Sequence, residues 1–238
     1  MKISSGAAGA VFFGDGRVLD RAAALAKARA FQEKWRHRVI THDLTGDVRR
    51  VAGVDVAYDS QDKTARAGVV VLSFPELKPL DTATACLKVT FPYVTTYLSF
   101  REAPAALAAL QKLSLKPDLL LCDGQGLAHP RRFGLACHLG LASDLPAIGV
   151  AKSRLVGEYE EPPLAKGGHS LLRHKGEVVG AVLRTRAGVK PVFVSCGHKV
   201  GLKKALELVL ACCPRFRLPE PIRQAHHLAA GAAGTPAK

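Results

Sequence analysis

VAGVDVAY, residues 51–58, and DLLLCDGQG, residues 118–126, are two strand-like stretches in which an apolar run leads to an aspartate, Asp55 in the first and Asp123 in the second. A third carboxylate, Glu102, lies between them in the sequence, at a predicted helix start. An ionised carboxylate in a dry sheet is costly unless it is protonated, hydrogen-bonded or bound to a cation. Acids from separate segments also repel one another unless a divalent metal lies between them. Asp55, Glu102 and Asp123 therefore predict a Mg²⁺-type site with oxygen ligands, the kind that most often handles phosphates.

Around these two stretches, hydrophobic periodicity predicts a succession of strands and helices. Three strands come first, and helices then alternate with strands, which is typical of a mixed sheet with helices packed on it. The predicted helices cover residues 20–38, 102–115, 131–143, 200–212 and 219–229. The predicted strands cover residues 51–58, 66–74, 83–91, 118–123, 146–151, 177–185 and 191–196, with a charged loop at 153–175. The sequence shows no internal repeat and no linker, so we predict one domain.

The charge of the chain indicates a polyanionic partner. Its 238 residues include 34 Lys and Arg against 20 Asp and Glu, which gives a net charge of +14 and a pI of about 9.8. The apolar content of 48% favours a globular fold over disorder. The predicted helix at 20–38 has an apolar face with Leu25, Ala28, Phe31 and Trp35, and a basic face that is either solvated or in contact with a duplex backbone. Nucleic acid is the partner that this composition favours.

The cysteines and the terminal segments bear on the compartment. No stretch reaches the roughly 18 apolar residues of a membrane span, and the N-terminus lacks the pattern of a signal peptide. The six cysteines form no C-x-x-C pair, and most lie in apolar segments. They predict a reduced cytoplasmic protein without a zinc site or disulfides, with a redox pair at Cys212 and Cys213 as the alternative. Residues 1–18 are predicted to be disordered and residues 231–238 to be a flexible tail.

Several segments together resemble the endonuclease V family of deoxyinosine-directed nucleases. They span roughly residues 20–230, and they are VAGVDVAY, PYVTTYLSFRE, LLLCDGQGLAHPRRFGLACHLG, IGVAKSRL, GAVLRT, PVFVSCGHKVGL and RLPEPIRQAH. The resemblance implies an RNase H-like α/β fold in a single domain at 19–230. Such a fold has a mixed central sheet of the five-stranded type, flanked by helices, with small additional strands and helices. The resemblance also implies dependence on Mg²⁺, with Mn²⁺ as a substitute.

The same resemblance implies the hydrolytic residues. The positions that match metal ligands of the family are Asp55, Glu102, Asp123 and His226. The alternative to the ligand role of His226 is an ordinary surface histidine, because a second histidine follows it directly near a C-terminal helix. Lys152 comes directly after an apolar strand and matches a lysine that would neutralise the scissile phosphate. His129 matches a further site position, where it would orient water or contact the phosphate, and a simple helix-entry histidine is the alternative.

Recognition residues are implied by three further matches. The wedge loop of the family, usually PYIP, corresponds to Pro92, Tyr93, Val94 and Thr95. Tyr93 would stack where the displaced base has left, and Thr95 departs from the usual proline, which makes the loop less rigid. The pocket for the displaced base corresponds to Leu98, Gly124, Gly126 and Leu155, where backbone groups near the glycines would bind the edge of hypoxanthine. A loop that would contact the nucleic-acid backbone corresponds to Ser195, His198 and Lys199.

The function implied is a nick at the second phosphodiester bond 3′ to deoxyinosine, which begins the repair of deaminated adenine. An inosine-specific endoribonuclease is the alternative among enzymes, because no residue visibly binds a 2′-hydroxyl. A non-catalytic module that binds lesions is disfavoured by the intact acids, and a phosphohydrolase for small nucleotides is disfavoured by the basic charge and the wedge. The expected partner is damaged DNA, or inosine-containing RNA under the alternative. No membrane partner is expected, and nothing in the sequence demands more than a monomer.

Overall fold

The computed structural model describes residues 21–231 apart from Ser60 and Asp62. In these residues the strands are β1 (Arg50–Tyr58), β2 (Thr64–Ser73), β3 (Pro79–Lys88), β4 (Leu119–Asp123), β5 (Ala147–Ala151), β6 (His169–His174), β7 (Glu177–Leu183) and β8 (Val192–His198). The helices are α1 (Arg21–Trp35), α2 (Ser99–Gln111), α3 (Leu135–Ser143), α4 (Leu202–Ala211) and α5 (Glu220–Ala229), with 3₁₀ turns at Arg36–Arg38 and Thr95–Tyr97. The predicted disordered segment 1–18 and nearly all of the predicted tail lie outside the described residues.

All eight described strands join one mixed sheet. Their order across the sheet is β3-β2-β1-β4-β5-β8-β7-β6. The three central strands β1, β4 and β5 are parallel neighbours, whereas every other pairing is antiparallel. The carboxyl ends of the parallel strands meet at one edge of the sheet, the place where α/β proteins bind their ligands.

The mixed α/β architecture is confirmed, but the sheet has more strands than the predicted five-stranded type. Edge strand β6 lies inside the segment 153–175, so the prediction of a continuous loop there was wrong. Of its six residues only Leu172 is buried, and the alternation of apolar and polar residues that signals a strand is therefore weak. Strand β3 begins and ends earlier than the predicted 83–91, and helix α2 begins at Ser99, one turn before the predicted start.

Apolar side chains cover both faces of the sheet. One face packs against α2 and α3 through residues such as Leu107, Leu110 and Leu139. The opposite face packs against α4 and α5 through residues such as Leu208 and Ile222. Full burial of a side chain of this size contributes about 1.5–3 kcal/mol, so the two layers hold the central strands rigidly. The sheet edge that carries the candidate acids thus rests on a fixed scaffold.

Helix α5 lies directly on the sheet because two strand residues have no side chain. A Cβ atom at Gly53 of β1 would lie 1.9 Å from the carbonyl oxygen of Pro221, and one at Gly68 of β2 would lie 2.5 Å from that of Ala225. Both distances are far below any van der Waals contact, so only glycine allows this close approach. The seating of α5 brings its residue His226 to β1.

Helix α1 packs on the rest of the fold through small and polar residues. Ala24, Ala28 and Gln32 are its buried positions, each four residues after the last. Leu25 and Trp35, predicted on the inner face, are only partly buried. Leu25 and Phe31 nevertheless pack against the core, as predicted, and Gln32 is buried beside them through its hydrogen bonds.

The cysteines are all free, and five of them are buried, with Cys86 exposed. Burial raises the pKa of the thiols in the core, including that of Cys196 to about 11, so these thiols stay protonated and unreactive near neutral pH. Over the described residues, no helix combines the length and the apolar character that a bilayer crossing requires.

Candidate active site

The three predicted acids meet where the pairing of β1 with β4 ends. Val54 is in register with Cys122 in this parallel pair, so Asp55 and Asp123, one residue further along each strand, are neighbours. Glu102 lies in the first turn of α2, and both aspartates act electrostatically on it. The structure therefore brings together three carboxylates that are far apart in the sequence.

Burial and mutual repulsion shift the pKa values of two of these acids. Burial, followed by the charges of Asp55 and Asp123, raises the pKa of Glu102 to about 8. Burial and the charge of Asp55 also raise the pKa of Asp123, against the opposing effect of Lys152. Tyr58 Oη donates a long hydrogen bond of 3.4 Å to Glu102 Oε1. Carboxylates that cannot all ionise together are the groups that a divalent cation stabilises.

Two positively charged or polarisable side chains contact the acids. Lys152 Nζ lies 2.5 Å from Asp123 Oδ2, and His226 Nδ1 donates to Asp55 Oδ2 at 2.6 Å. Within residues 21–59, 61 and 63–231, no three acidic, histidine or cysteine side chains converge closely enough to ligate one ion as they stand. Ligation of one ion by these groups would therefore need their side chains to move closer together. The donor set of three carboxylates and one imidazole fits a hard divalent cation.

A cleft of about 410 Å³ opens beside the acids. Its lining includes the charged residues Glu102, Asp123 and Lys152, and the apolar residues Leu98 and Leu155. One side of the cleft is thus apolar and another is charged, an arrangement that suits a planar base attached to a phosphate chain.

The predicted pocket glycines lie in different places. Gly124 lines the cleft and has a φ of +151°, a conformation that favours glycine. Gly126 lies behind the cleft wall, where its N–H donates to Ser195 Oγ at 2.8 Å. A Cβ atom there would lie 2.2 Å from the carbonyl oxygen of Cys196. Gly126 therefore does not line the cleft, and its lack of a side chain lets the loop after β4 pack on β8.

Two of the predicted backbone-contact residues are corrected in the same way. Ser195 is fully buried and His198 is only 3% exposed, so neither side chain can reach a nucleic acid in this conformation. His198 Nδ1 accepts a hydrogen bond of 3.3 Å from the N–H of Ile40, and burial lowers the pKa of its ring to about 4. Lys199 Nζ lies 2.6 Å from Asp144 Oδ1. Ser195 and His198 thus secure the end of β8, whereas Lys199 is partly exposed beside Asp144 and stays a predicted backbone contact.

The predicted wedge loop lies next to the cleft. Tyr93 is 61% exposed, while Pro92 and Val94 are half-buried. Thr95 is exposed and lines the cleft. The guanidinium carbon of Arg101 lies 5.6 Å from the centre of the Tyr93 ring. The loop therefore presents one aromatic ring to solvent, supported from behind by a buried arginine.

One backbone carbonyl joins the wedge loop to the cleft. Three side chains donate to the oxygen of Thr96: Gln32 Nε2 at 3.2 Å, His129 Nε2 at 2.9 Å and Arg131 Nη2 at 2.8 Å. The N–H of Arg131 also donates to His129 Nδ1 at 3.2 Å. Because one ring nitrogen donates and the other accepts, His129 is neutral, and burial lowers its pKa to about 4.

Three residues at the site escaped the sequence analysis. Gln32 was assigned to neither face of its helix, although its spacing from Ala24 and Ala28 is helical and could have revealed it. Arg101 stands in an apolar stretch, where a buried positive charge indicates a specific partner. Its Nη1 donates to the carbonyl of Phe91 at 3.0 Å. Tyr58 closes the strand that carries Asp55, and nothing in the sequence indicated its contact with an acid from α2.

A mixed sheet with clustered carboxylates beside a cleft is the arrangement of a nuclease of the RNase H-like class. A sequence model of Endonuclease V matches residues 33–227, which is most of the chain. The chain belongs to the endonuclease V family.

Individual relatives are similar over nearly their whole length. The Endonuclease V of Roseiflexus sp. (strain RS-1) is 58% identical over 205 residues, which cover 86% of this chain and 91% of that protein. The crystal structure of the Endonuclease V from Streptomyces avermitilis matches with a TM-score of 0.84 at 47% identity, covering 87% of this chain and 92% of the other. The Ciona intestinalis Endonuclease V matches with a TM-score of 0.76 at 32% identity, covering 88% and 97%. It was crystallised with a DNA that contains an inosine followed by a ribo-adenosine.

Proposed function

We propose that this chain is a Mg²⁺-dependent endonuclease that recognises deoxyinosine in DNA and hydrolyses the second phosphodiester bond 3′ to it, which starts the repair of deaminated adenine. The observation that carries the proposal is that Glu102, Asp123 and Lys152 form one wall of the cleft. A nucleotide whose base enters the cleft therefore has its backbone beside the hydrolytic groups. The inosine-containing DNA bound by the Ciona relative supports the choice of lesion.

The acids would hold the metal. Asp55, Glu102 and Asp123 would be its ligands, with His226 as a fourth, and Mn²⁺ would replace Mg²⁺ because both accept oxygen ligands. When bound, such an ion lowers the pKa of the attacking water and stabilises the leaving 3′-oxygen. Burial, and then repulsion from Asp55 and Asp123, raise the pKa of Glu102 to about 8, and binding of a divalent cation would offset the repulsion.

Lys152 would act on the phosphate. Its side chain is 44% exposed, and its ammonium group is fixed at the acid cluster by Asp123. From there it can neutralise the scissile phosphate and the negative charge that grows in the transition state. His129 takes a different role from the one we predicted. Both of its ring nitrogens are engaged and the ring is neutral, so we assign it to holding Thr96 in place rather than to water or phosphate.

Recognition would combine the wedge loop with the cleft. Tyr93 would enter the duplex where the lesion leaves it, and the displaced base would enter between Leu98 and Leu155. Because the Thr96 carbonyl follows the wedge loop and also lies at the cleft wall, its three hydrogen bonds would fix the distance between the two parts.

Inosine-containing RNA is the second candidate substrate. The Ciona relative was crystallised with a ribo-adenosine after the inosine, so a 2′-hydroxyl near the lesion is tolerated in that protein's complex. A preference for RNA would leave the acids, Lys152 and the wedge in the same roles and would change only the contact to the sugar.

Cleavage of matched substrates tests the proposal. End-labelled duplexes with a single deoxyinosine or deoxyadenosine, and a single-stranded inosine RNA, are incubated with Mg²⁺ or with EDTA. We expect a Mg²⁺-dependent nick one nucleotide beyond deoxyinosine, lost in Asp123→Asn and kept in Asp144→Asn, a matched change at an exposed aspartate. Cleavage of RNA alone would move the function to inosine-RNA turnover, and binding without cleavage of any substrate would refute the enzyme proposal.

A further inference from the structure

An exposed aromatic ring lies between two arginines in the loop that joins α4 to α5. Phe216 is 39% exposed. The guanidinium carbon of Arg215 lies 5.4 Å from the centre of its ring, and that of Arg223 lies 4.8 Å from it. We call these three residues the Phe216 platform. Phe216 belongs neither to the described hydrophobic clusters nor to the wedge loop or the cleft lining.

The loop that carries the platform is fixed to the active site. Arg217 Nη2 donates to the carbonyl of Lys152 at 2.8 Å and to that of Pro191 at 2.9 Å. The carbonyl of Arg217 accepts a hydrogen bond of 2.6 Å from Thr185 Oγ1. The residue after Phe216 is therefore bonded directly to the backbone of Lys152, the candidate phosphate-binding residue, and this bond restrains the loop.

The second arginine is fixed as well. Glu220 binds Arg223 Nε and Nη2 at 2.8 Å and 2.6 Å. Arg223 precedes His226 by three residues on α5, so the two side chains lie on the same face of the helix, about one turn apart. His226 in turn donates to Asp55. The platform thus adjoins the acid cluster through α5 as well as through Lys152.

The acid cluster adjoins both the cleft and the helix that carries Arg223. Glu102, Asp123 and Lys152 line the cleft, whereas Asp55 and His226 are not among its lining residues. A strand that places its base in the cleft and its phosphate on the acids would therefore continue past Asp55 toward α5. Because the proposed cut lies 3′ to the lesion, the nucleotides on that side are those 3′ to the scissile bond.

We propose that the Phe216 platform binds the nucleic-acid strand immediately 3′ to the scissile phosphodiester. The ring would stack on an unpaired base, and the two guanidinium groups would contact phosphates. Aromatic rings flanked by basic side chains bind single strands in this way, through stacking that tolerates any sequence. The inference rests on the proposed function and adds to it a product-side subsite, with a preference for substrates that are unpaired beyond the cut.

Substrates of two lengths test the platform. Deoxyinosine oligonucleotides that end about one or about eight nucleotides after the scissile bond are compared in wild type, Phe216→Ala and Phe216→Trp. We expect Phe216→Ala to raise KM for the long single-stranded substrate roughly tenfold or more, with kcat unchanged and no effect on the short one. Phe216→Trp should restore KM, and Leu164→Ala, at a different exposed apolar residue, should match wild type.

The dependence of binding on salt tests the arginine. Arg215→Gln should reduce the slope of log affinity against log salt concentration by about 0.7 for the long single-stranded substrate, an effect that a purely structural residue would not have. Equal changes in KM on both lengths, or none, would overturn the platform while leaving deoxyinosine cleavage by the wild type intact. Absence of cleavage by the wild type would instead refute the proposed function.

Discussion

Replacing His138 with leucine should make the folded protein more resistant to acid. His138 lies on α3, is 1% exposed, and is surrounded by the rings of Phe31, Phe100 and Phe133 at centroid distances of 5.2–5.5 Å. Neither of its ring nitrogens has a hydrogen-bond partner among the described residues. Burial lowers the pKa of this ring to about 3 from an ordinary value near 6.5, because an imidazolium in this surrounding would lack both water and a counter-charge.

The sign and size of the effect follow from linkage between protonation and folding. Below the unfolded pKa of 6.5, the unfolded chain takes up a proton at His138 that the folded chain does not, so stability falls as the pH falls. Between about pH 7.5 and pH 5 this residue alone should remove about 2 kcal/mol from the free energy of unfolding. The loss continues until the pH reaches the folded value of about 3. His129 and His198, with pKa values of about 4, add similar losses that remain in the variant.

Urea unfolding at a series of pH values, in the presence of EDTA, measures the effect. The quantity of interest is the difference between wild type and His138→Leu, because a change in packing shifts the whole curve whereas the titration changes its shape. We expect the variant to lose about 2 kcal/mol less than wild type over this interval, and His169→Leu, at an exposed histidine, to follow wild type. Parallel curves for wild type and His138→Leu would refute the reasoning.

Further predictions concern recognition and assembly of the site. Tyr93→Ala should weaken binding of deoxyinosine DNA by roughly tenfold or more without changing Tm, since the ring is 61% exposed. Equal affinities of wild type and variant in a fluorescence anisotropy titration would exclude the wedge role. Gln32→Leu should lower the free energy of unfolding in urea by about 1–3 kcal/mol, because it removes one hydrogen-bond donor from the Thr96 carbonyl. It should also reduce cleavage of deoxyinosine relative to deoxyadenosine, and unchanged discrimination would show that Gln32 serves stability only. Gly53→Ala should destabilise the fold by about 1–3 kcal/mol or more and reduce cleavage, because the new Cβ atom clashes with the Pro221 carbonyl. Wild-type values in both assays would contradict the close packing of α5 on β1.

The sequence was sufficient to predict the meeting of the acids, and the reason is geometric. Asp55 and Asp123 each follow a buried run, and the ends of neighbouring parallel strands lie at the same sheet edge. The start of α2 needs only a short connection to reach that edge. The same logic fails for β6, where a single buried residue leaves too weak a pattern to distinguish an edge strand from a loop.

The roles of individual polar residues were harder to predict, because they depend on partners far away in the sequence. Ser195 looked like a surface residue of a strand-end motif, yet it is fully buried and accepts a hydrogen bond from Gly126, 69 residues before it. His129 matched a site position, but its function depends on Thr96 and Arg131, whose placement only the folded chain defines. Local sequence gives the type of a polar group and leaves open which partner satisfies it.

The close seat of α5 on Gly53 and Gly68 also has a consequence for biosynthesis. During translation the ribosome delivers Asp55 early, while His226 and Arg223 emerge after every other residue discussed at the site. Until α5 docks, the face of β1 and β2 that it covers stays bare, and Asp55 lacks its histidine neighbour. The same docking event therefore covers an apolar surface that would otherwise favour aggregation, and it brings His226 to Asp55. If His226 has the role that we propose, a nascent chain gains its nuclease activity only once α5 has reached the sheet.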